Sequence, residues 1–148
     1  MPRIEWAGTS STTVRFVDTN VLLYAISRDS REGDKAARAK EILASRDVGL
    51  SVQVLQEFYV EATRASRPDP LSHERASALV GSFLRFPVQE MTTAVTIAAL
   101  ATRDRFGISY WDAAILEAGR ALGCGLVLSE DLSAGEDYAG VRVENPFV

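Results

Sequence analysis

Short runs of strand-forming residues alternate with helical segments along almost the whole chain, and this alternation is the feature that most constrains its fold. Strands are predicted over residues 14–18, 48–52, 87–90, 126–128 and 141–143. Helices are predicted over residues 20–27, 32–45, 53–66, 72–86, 92–105 and 110–122. The pattern is typical of a parallel sheet covered by helices, which is an α/β fold. Ligands of such sheets bind beyond the carboxyl ends of the strands.

The length of 148 residues is that of one domain. Residues 1–13 end in a run of small polar residues and are predicted to be a flexible or accessory lead-in, whereas residues 14–148 are predicted to form the domain. No apolar run is long enough for a membrane helix. The single cysteine, Cys124, excludes an intrachain disulfide. We therefore expect a cytoplasmic protein with no membrane partner.

The formal net charge of −4 argues against broad electrostatic binding of nucleic acid, although a local basic rim stays open. Arg64 and Arg67 lie at the end of the third predicted helix and could form part of such a rim. Both arginines could equally lie on a solvated face or stabilise the end of their helix.

Four acidic residues lie just after predicted strands or early in predicted helices: Asp18, Glu57, Asp112 and Asp131. Because the carboxyl ends of parallel strands share one sheet edge, we expect these carboxylates to converge. Converging carboxylates repel one another and need a cation, and Mg²⁺ or Mn²⁺ prefers oxygen ligands. A metal held in this way can activate water and bind the oxygens of a phosphodiester.

The remaining residues exclude several other kinds of site. His73 is the only histidine and Cys124 the only cysteine, so neither a histidine cluster nor a cysteine-rich zinc site can form. The chain also contains no GxGxxG motif and no P-loop, so nucleotide cofactors have no recognisable phosphate cradle.

Each acid also has a structural alternative. Asp18 could cap the following helix, and Asp112 lies three residues after Ser109, at the spacing of a capping box. Asp131 could cap a turn, and Glu57 could be a solvated helical residue.

Two polar residues are candidate supports for these acids. Asn20 could hold Asp18 through hydrogen bonds, or it could be an ordinary helix cap. Ser129 could position the last acid or contact a phosphate, or it could be a turn hydroxyl.

Four segments resemble the PIN domain, in particular the compact VapC toxins of toxin–antitoxin pairs. They are Phe16–Leu22 (FVDTNVL), Ser51–Phe58 (SVQVLQEF), Ser109–Leu116 (SYWDAAIL) and Leu128–Leu132 (LSEDL). The resemblance covers residues 14 to about 146 and implies a PIN-like three-layer α/β/α fold with a small central parallel sheet.

The resemblance implies an Mg²⁺- or Mn²⁺-dependent endoribonuclease that hydrolyses RNA phosphodiester bonds. It places Asp18 and Asp112 as direct metal ligands, and Glu57 as a ligand or the residue that orients the attacking water. Asp131 would complete the site or bind a second metal, and we prefer it to the adjacent Glu130.

The implied partners are an RNA substrate, a second copy of the chain in a homodimer, and a cognate antitoxin that places an Arg or Lys near the acids. Trp111 occupies a position where another aromatic residue would be more usual, and we expect this difference to affect packing only.

Alternative functions remain open. The chain could be a PIN nuclease of RNA processing outside a toxin–antitoxin pair, or a catalytically silent module that binds RNA or protein. A phosphatase of the haloacid-dehalogenase type also begins with an Asp after its first strand. Its chemistry needs a second Asp two residues later, where this chain has Asn20.

Overall fold

The computed structural model describes residues 14–148, so the predicted lead-in over residues 1–13 lies outside the described residues. The strands are β1 Arg15–Val17, β2 Val48–Ser51, β3 Val88–Gln89, β4 Leu126–Leu128, β5 Asp137–Tyr138 and β6 Val141–Glu144. The helices are α1 Thr19–Ala25, α2 Gly33–Leu43, α3 Val52–Ala62, α4 His73–Phe83, α5 Thr93–Phe106 and α6 Tyr110–Ala121. No helix in the described part of the chain is long and apolar enough to cross a membrane.

The strands form one mostly parallel sheet in the order β3-β2-β1-β4-β6-β5, which confirms the predicted α/β class. From β1 the chain moves outward through β2 to β3, and it then returns across the sheet to β4 on the other side of β1. Because crossovers between parallel strands are right-handed, the reversal of direction puts the later connection, α5 and α6, on the opposite face from α1–α4. The result is three layers.

The central strands are buried on both faces, as expected for a parallel sheet covered by helices. Phe16, Val17, Val127 and Leu128 of β1 and β4 are at most 1% exposed. These two strands pair in register from Arg15 opposite Leu126 to Val17 opposite Leu128. Their carboxyl ends therefore lie side by side at the point where the strand order reverses, which is where ligands bind in such sheets.

Polar caps define where the helices begin. Ser51, Ser72, Thr92 and Ser109 each accept a hydrogen bond from the backbone N–H three residues later. Two helices end three or more residues earlier than predicted: α3 at Ala62 and α4 at Phe83.

The short strand β5 is absent from the sequence prediction. It pairs antiparallel with β6 through a tight turn in which both Ala139 and Gly140 have positive φ, 55° and 98°. An Asn-Gly or Asp-Gly pair is the usual sign of such a turn, and alanine at the first position hides it.

Candidate functional site

Asp18 and Ser129 meet at the neighbouring ends of β1 and β4. Asp18 caps α1, and its Oδ1 accepts a hydrogen bond from the backbone N–H of Thr19 at 2.8 Å. Its Oδ2 accepts a hydrogen bond of 2.7 Å from the Ser129 hydroxyl, which is completely buried. The capping interpretation of Asp18 is thus confirmed, and the same carboxylate lies at the switch point of the sheet.

Ser129 and Asn20 hold the turn that follows β4. The Ser129 Oγ accepts hydrogen bonds from the backbone N–H groups of Asp131 at 3.1 Å and Leu132 at 3.2 Å. The Asn20 side-chain amide donates to the Asp131 carboxylate at 3.1 Å, and its oxygen accepts from the Glu130 N–H at 3.3 Å. Asn20 therefore binds the turn that carries Asp131. The sequence analysis expected it to hold Asp18, but within residues 14–148 its side-chain hydrogen bonds go to the turn instead.

Glu57 of α3 is held by two side chains that the sequence analysis missed. Its Oε1 accepts a hydrogen bond of 2.7 Å from the Thr19 hydroxyl, and its Oε2 accepts one of 3.1 Å from the Gln53 amide. Gln53 also donates to the backbone oxygen of Trp111 at 3.2 Å, which links α3 to the start of α6. The spacing of four residues between Gln53 and Glu57 is a signal that could have found Gln53.

Asp112 lies in the first turn of α6 and is half-buried. Its backbone N–H donates to the Ser109 hydroxyl at 3.1 Å, so the predicted cap is present. The cap fixes the start of α6 and with it the position of the Asp112 carboxylate relative to the sheet edge.

The four carboxylates are electrostatically coupled. The pKa of Asp18 is raised from 3.8 to about 6, mainly by burial and also by the negative charges of Asp131 and Glu57, against hydrogen bonds from Ser129 and Thr19 that lower it. Burial also raises the pKa of Asp112, again with contributions from Asp131 and Glu57. Among residues 14–148, none of the four acids forms an ion pair with a basic side chain.

Glu130 is turned toward a different set of residues. Its carboxylate accepts hydrogen bonds of 2.5 Å from the Tyr24 hydroxyl and 2.5 Å from the Lys35 ammonium. Burial raises the pKa of Glu130, but these two donors more than offset that effect and leave its pKa below the usual value. Glu130 is thereby neutralised by Lys35, and Asp131 is the acid of this turn that lines the cleft described next.

A cleft of about 630 Å³ is lined by two of the four acids, Glu57 and Asp131, whereas Asp18 and Asp112 do not line it. Leu23, Val60 and Trp111 give the cleft apolar lining. The two predicted nucleic-acid contacts, Arg64 and Arg67, do not line it. Exposed Arg64 pairs with Glu61 at 2.6 Å, and half-buried Arg67 borders a separate hollow of about 320 Å³.

The donor chemistry fits a hard divalent cation. Over residues 14–148, no three His, Cys, Asp or Glu side chains are grouped as a ready-made metal cage. The raised pKa of Asp18, beside two further acids, nevertheless marks a place where a cation would favour the ionised carboxylates. Oxygen ligands alone suit Mg²⁺ or Mn²⁺ better than zinc or copper.

The fold and site together define a doubly wound α/β domain with electrostatically coupled carboxylates at its switch point. The chain belongs to the PIN domain family, which matches residues 15–134. No curated protein sequence matches the chain significantly.

Solved structures with the same fold come from toxin–antitoxin systems. A toxin–antitoxin complex from Klebsiella pneumoniae superposes with a TM-score of 0.66 at 18% identity, over 90% of this chain and 98% of that chain. DNA-bound VapBC from Salmonella typhimurium superposes with a TM-score of 0.64 at 21% identity, over 90% of this chain and 98% of that chain. Mycobacterium tuberculosis VapC20, a sarcin–ricin loop cleaving toxin, superposes with a TM-score of 0.58 at 22% identity, over 79% of this chain and 89% of that chain. These similarities confirm the predicted PIN-like fold.

Proposed function

We propose that this chain is an Mg²⁺- or Mn²⁺-dependent endoribonuclease and the toxin of a VapBC-type toxin–antitoxin pair. The observation that carries the proposal is the coupling of Asp18, Glu57, Asp112 and Asp131 at the switch point of a PIN domain. The likeness to a sarcin–ricin loop cleaving toxin and to toxin–antitoxin complexes supports RNA as the substrate and an antitoxin as the partner.

The four carboxylates would hold the metal. When bound, the metal lowers the pKa of a water molecule and neutralises charge on the phosphodiester. The protein's other side chains hold these carboxylates in place: Ser129 binds Asp18, and Asn20 binds Asp131.

Glu57 is held from two directions, by Thr19 and Gln53, so both of its oxygens already accept hydrogen bonds. A carboxylate fixed in this way can bind metal or orient a water without the entropic cost of ordering a free side chain.

The anionic cleft also fits the implied antitoxin. A cationic side chain inserted beside Glu57 and Asp131 would compensate the same charges that a metal compensates, and so compete with it. We further propose a homodimer, as the resemblance to VapC toxins implies.

The decisive experiment is cleavage of total cellular RNA by the full-length, antitoxin-free protein with Mg²⁺ or Mn²⁺. We expect discrete products that EDTA and the D18N substitution both abolish, because EDTA removes the metal and D18N removes a carboxylate charge that would bind it. The matched control is D104N, which changes an exposed aspartate of α5 outside the cleft and should leave cleavage intact.

Absence of cleavage of tRNA, rRNA and mRNA by folded protein with metal would overturn the enzymatic proposal and favour a binding module. Cleavage by D18N equal to that of the wild type would show that the activity lies elsewhere or in a contaminant. A gene for a small DNA-binding antitoxin next to this one would separate a toxin from an RNA-processing nuclease.

A further inference from the structure

Trp111 presents an exposed indole to the cleft that contains Glu57 and Asp131. The residue is 63% exposed, so it does not pack in the core. No phenylalanine of residues 14–148 is exposed, and Trp111 is the only tryptophan in that range. A large apolar ring left in water beside a candidate active site is a feature that indicates a ligand.

The position of this indole is coupled to that of the acids. Trp111 directly precedes Asp112 in the first turn of α6. Its backbone oxygen accepts a hydrogen bond from Gln53, and the same amide donates to Glu57. The indole also contacts the Tyr110 ring edge to face, with the ring centroids 5.0 Å apart. The backbone that carries the ring is thus fixed relative to Glu57 and Asp112, and Tyr110 packs against the ring itself.

The acidic residues and the apolar residues that line the cleft suit different parts of a nucleotide. A phosphate is repelled by the unpaired carboxylates except where a cation intervenes, whereas Leu23, Val60 and Trp111 offer apolar surface and an aromatic ring. A nucleobase is a flat aromatic group that stacks on indole, and this kind of contact tolerates any base because every base has a π face.

We propose that Trp111 stacks an unpaired base of the RNA strand next to the phosphodiester held at the acidic centre. This proposal rests on the proposed ribonuclease function and adds the residue that would hold the substrate strand beside the acids. A base within a duplex is already stacked on its neighbours and would have to leave the helix to reach the indole.

Binding is tested by tryptophan fluorescence, which does not depend on cleavage. The full-length protein carries W6F, so that Trp111 is the only tryptophan, and the acids stay intact because quenching is read on mixing, before hydrolysis proceeds. The probes, with Mg²⁺ present, are hexaadenylate, an abasic ribose-phosphate hexamer of the same length, and a blunt RNA duplex. We expect quenching by hexaadenylate only. Equal quenching by the abasic hexamer, or none by hexaadenylate, would overturn the proposal.

Catalysis gives the second test, on a short unpaired RNA. W111A should lower kcat/KM by about 5- to 150-fold, mostly through KM, since that is the range for loss of one base-stacking contact. W111F and W111Y should retain most of the activity. L84A is the matched control, because Leu84 is 59% exposed and does not line the cleft.

Two further outcomes would overturn the stacking proposal. The first is an unchanged KM in W111A when the wild-type protein is active. Dissociation of a dimer by W111A, seen by sedimentation together with parallel loss of activity, is the other, because it would assign Trp111 to self-association. A wild type that cleaves no RNA would instead contradict the ribonuclease function, while the quenching experiment would still decide whether bases bind.

Discussion

The hydroxyl of Ser129 joins the carboxylate of Asp18 to the turn that carries Asp131. It donates to Asp18 and accepts from two backbone N–H groups, and it is completely buried. S129A should therefore destabilise the protein by about 1–3 kcal/mol, because buried polar groups lose their partners. It should also weaken Mn²⁺ binding about tenfold or more, since a hydrogen bond to a charged group is lost. Chemical unfolding and calorimetric Mn²⁺ titration measure the two effects.

The matched control is S72A at the start of α4, where the Ser72 hydroxyl accepts only from the Arg75 N–H. Loss of this cap should cost about 1 kcal/mol and leave Mn²⁺ affinity unchanged. If S129A and S72A bound Mn²⁺ equally well, Ser129 would be a structural turn residue and nothing more.

The individual acids could be predicted because each follows a strand or begins a helix in the sequence. Thr19 could not be assigned in the same way, because its partner, Glu57, comes from the packing of α3 beside α1. Gln53 could have been found, because it lies four residues before Glu57 in the same helix. The preference for Asp131 over Glu130 depends on Lys35, a residue of α2 remote in sequence. Long-range pairs of this kind leave no local pattern.

At the scale of elements, α6 lies close against the sheet because of Gly119. A Cβ at this position would be 3.3 Å from Val127 Cγ2 and 3.4 Å from Phe16 Cβ, both in buried strands at the centre of the sheet. We expect G119A to destabilise the protein by about 1 kcal/mol or more, because this crowding outweighs the gain in helix propensity. Urea unfolding of the metal-free protein measures the change.

The same substitution at Gly81 of α4 is the control, since a Cβ there would have no heavy atom within 4 Å. G81A should stabilise the protein by about 0.5–1 kcal/mol, because alanine favours the helix and restricts the unfolded chain. Stabilisation by both substitutions would show that α6 can move away from the sheet at little cost.

Helix starts could be predicted well because a Ser, Thr or Asp side chain marks them locally. The early end of α3 depends instead on tertiary contacts, such as the hydrogen bond from the Leu71 N–H to the Ala62 oxygen. The strand β5 depends on pairing with β6, and its two residues carry no pattern of their own.

At the scale of the whole molecule, the strand order determines where the acids meet. Alternating strands and helices predicted a parallel sheet, but the order β3-β2-β1-β4-β6-β5 follows from crossovers that the sequence pattern does not specify. The reversal next to β1 brings Asp18 beside Ser129, although these residues are far apart in sequence. The convergence of the acids at one sheet edge could therefore be expected from the general rule for such sheets. The individual hydrogen bonds between their side chains and their neighbours could not.

The stability of the metal-free protein should reflect the cost of this convergence. The pKa of Asp18 is about 6 in the folded protein and 3.8 as a reference for the unfolded chain. Between these values the folded state binds more protons, so the Asp18 contribution lowers the free energy of unfolding as the pH rises from about 4 to 6. The full loss is about 3 kcal/mol at neutral pH.

The difference in unfolding free energy between wild type and D18N, measured by urea in EDTA from pH 4 to 8, isolates this effect. Acids remote from Asp18 cancel in this difference, which therefore reports Asp18 together with its coupling to Asp131 and Glu57. The unfolding free energy of D18N should rise relative to that of the wild type up to about pH 6.5. Above that pH the difference between the two proteins should be constant. Saturating Mn²⁺ should stabilise the wild type at pH 7.5 and far less at pH 5, because protons compete for the carboxylates. A difference independent of pH would mean that Asp18 is solvated well enough to ionise normally, and the coupled carboxylate centre would not exist as described.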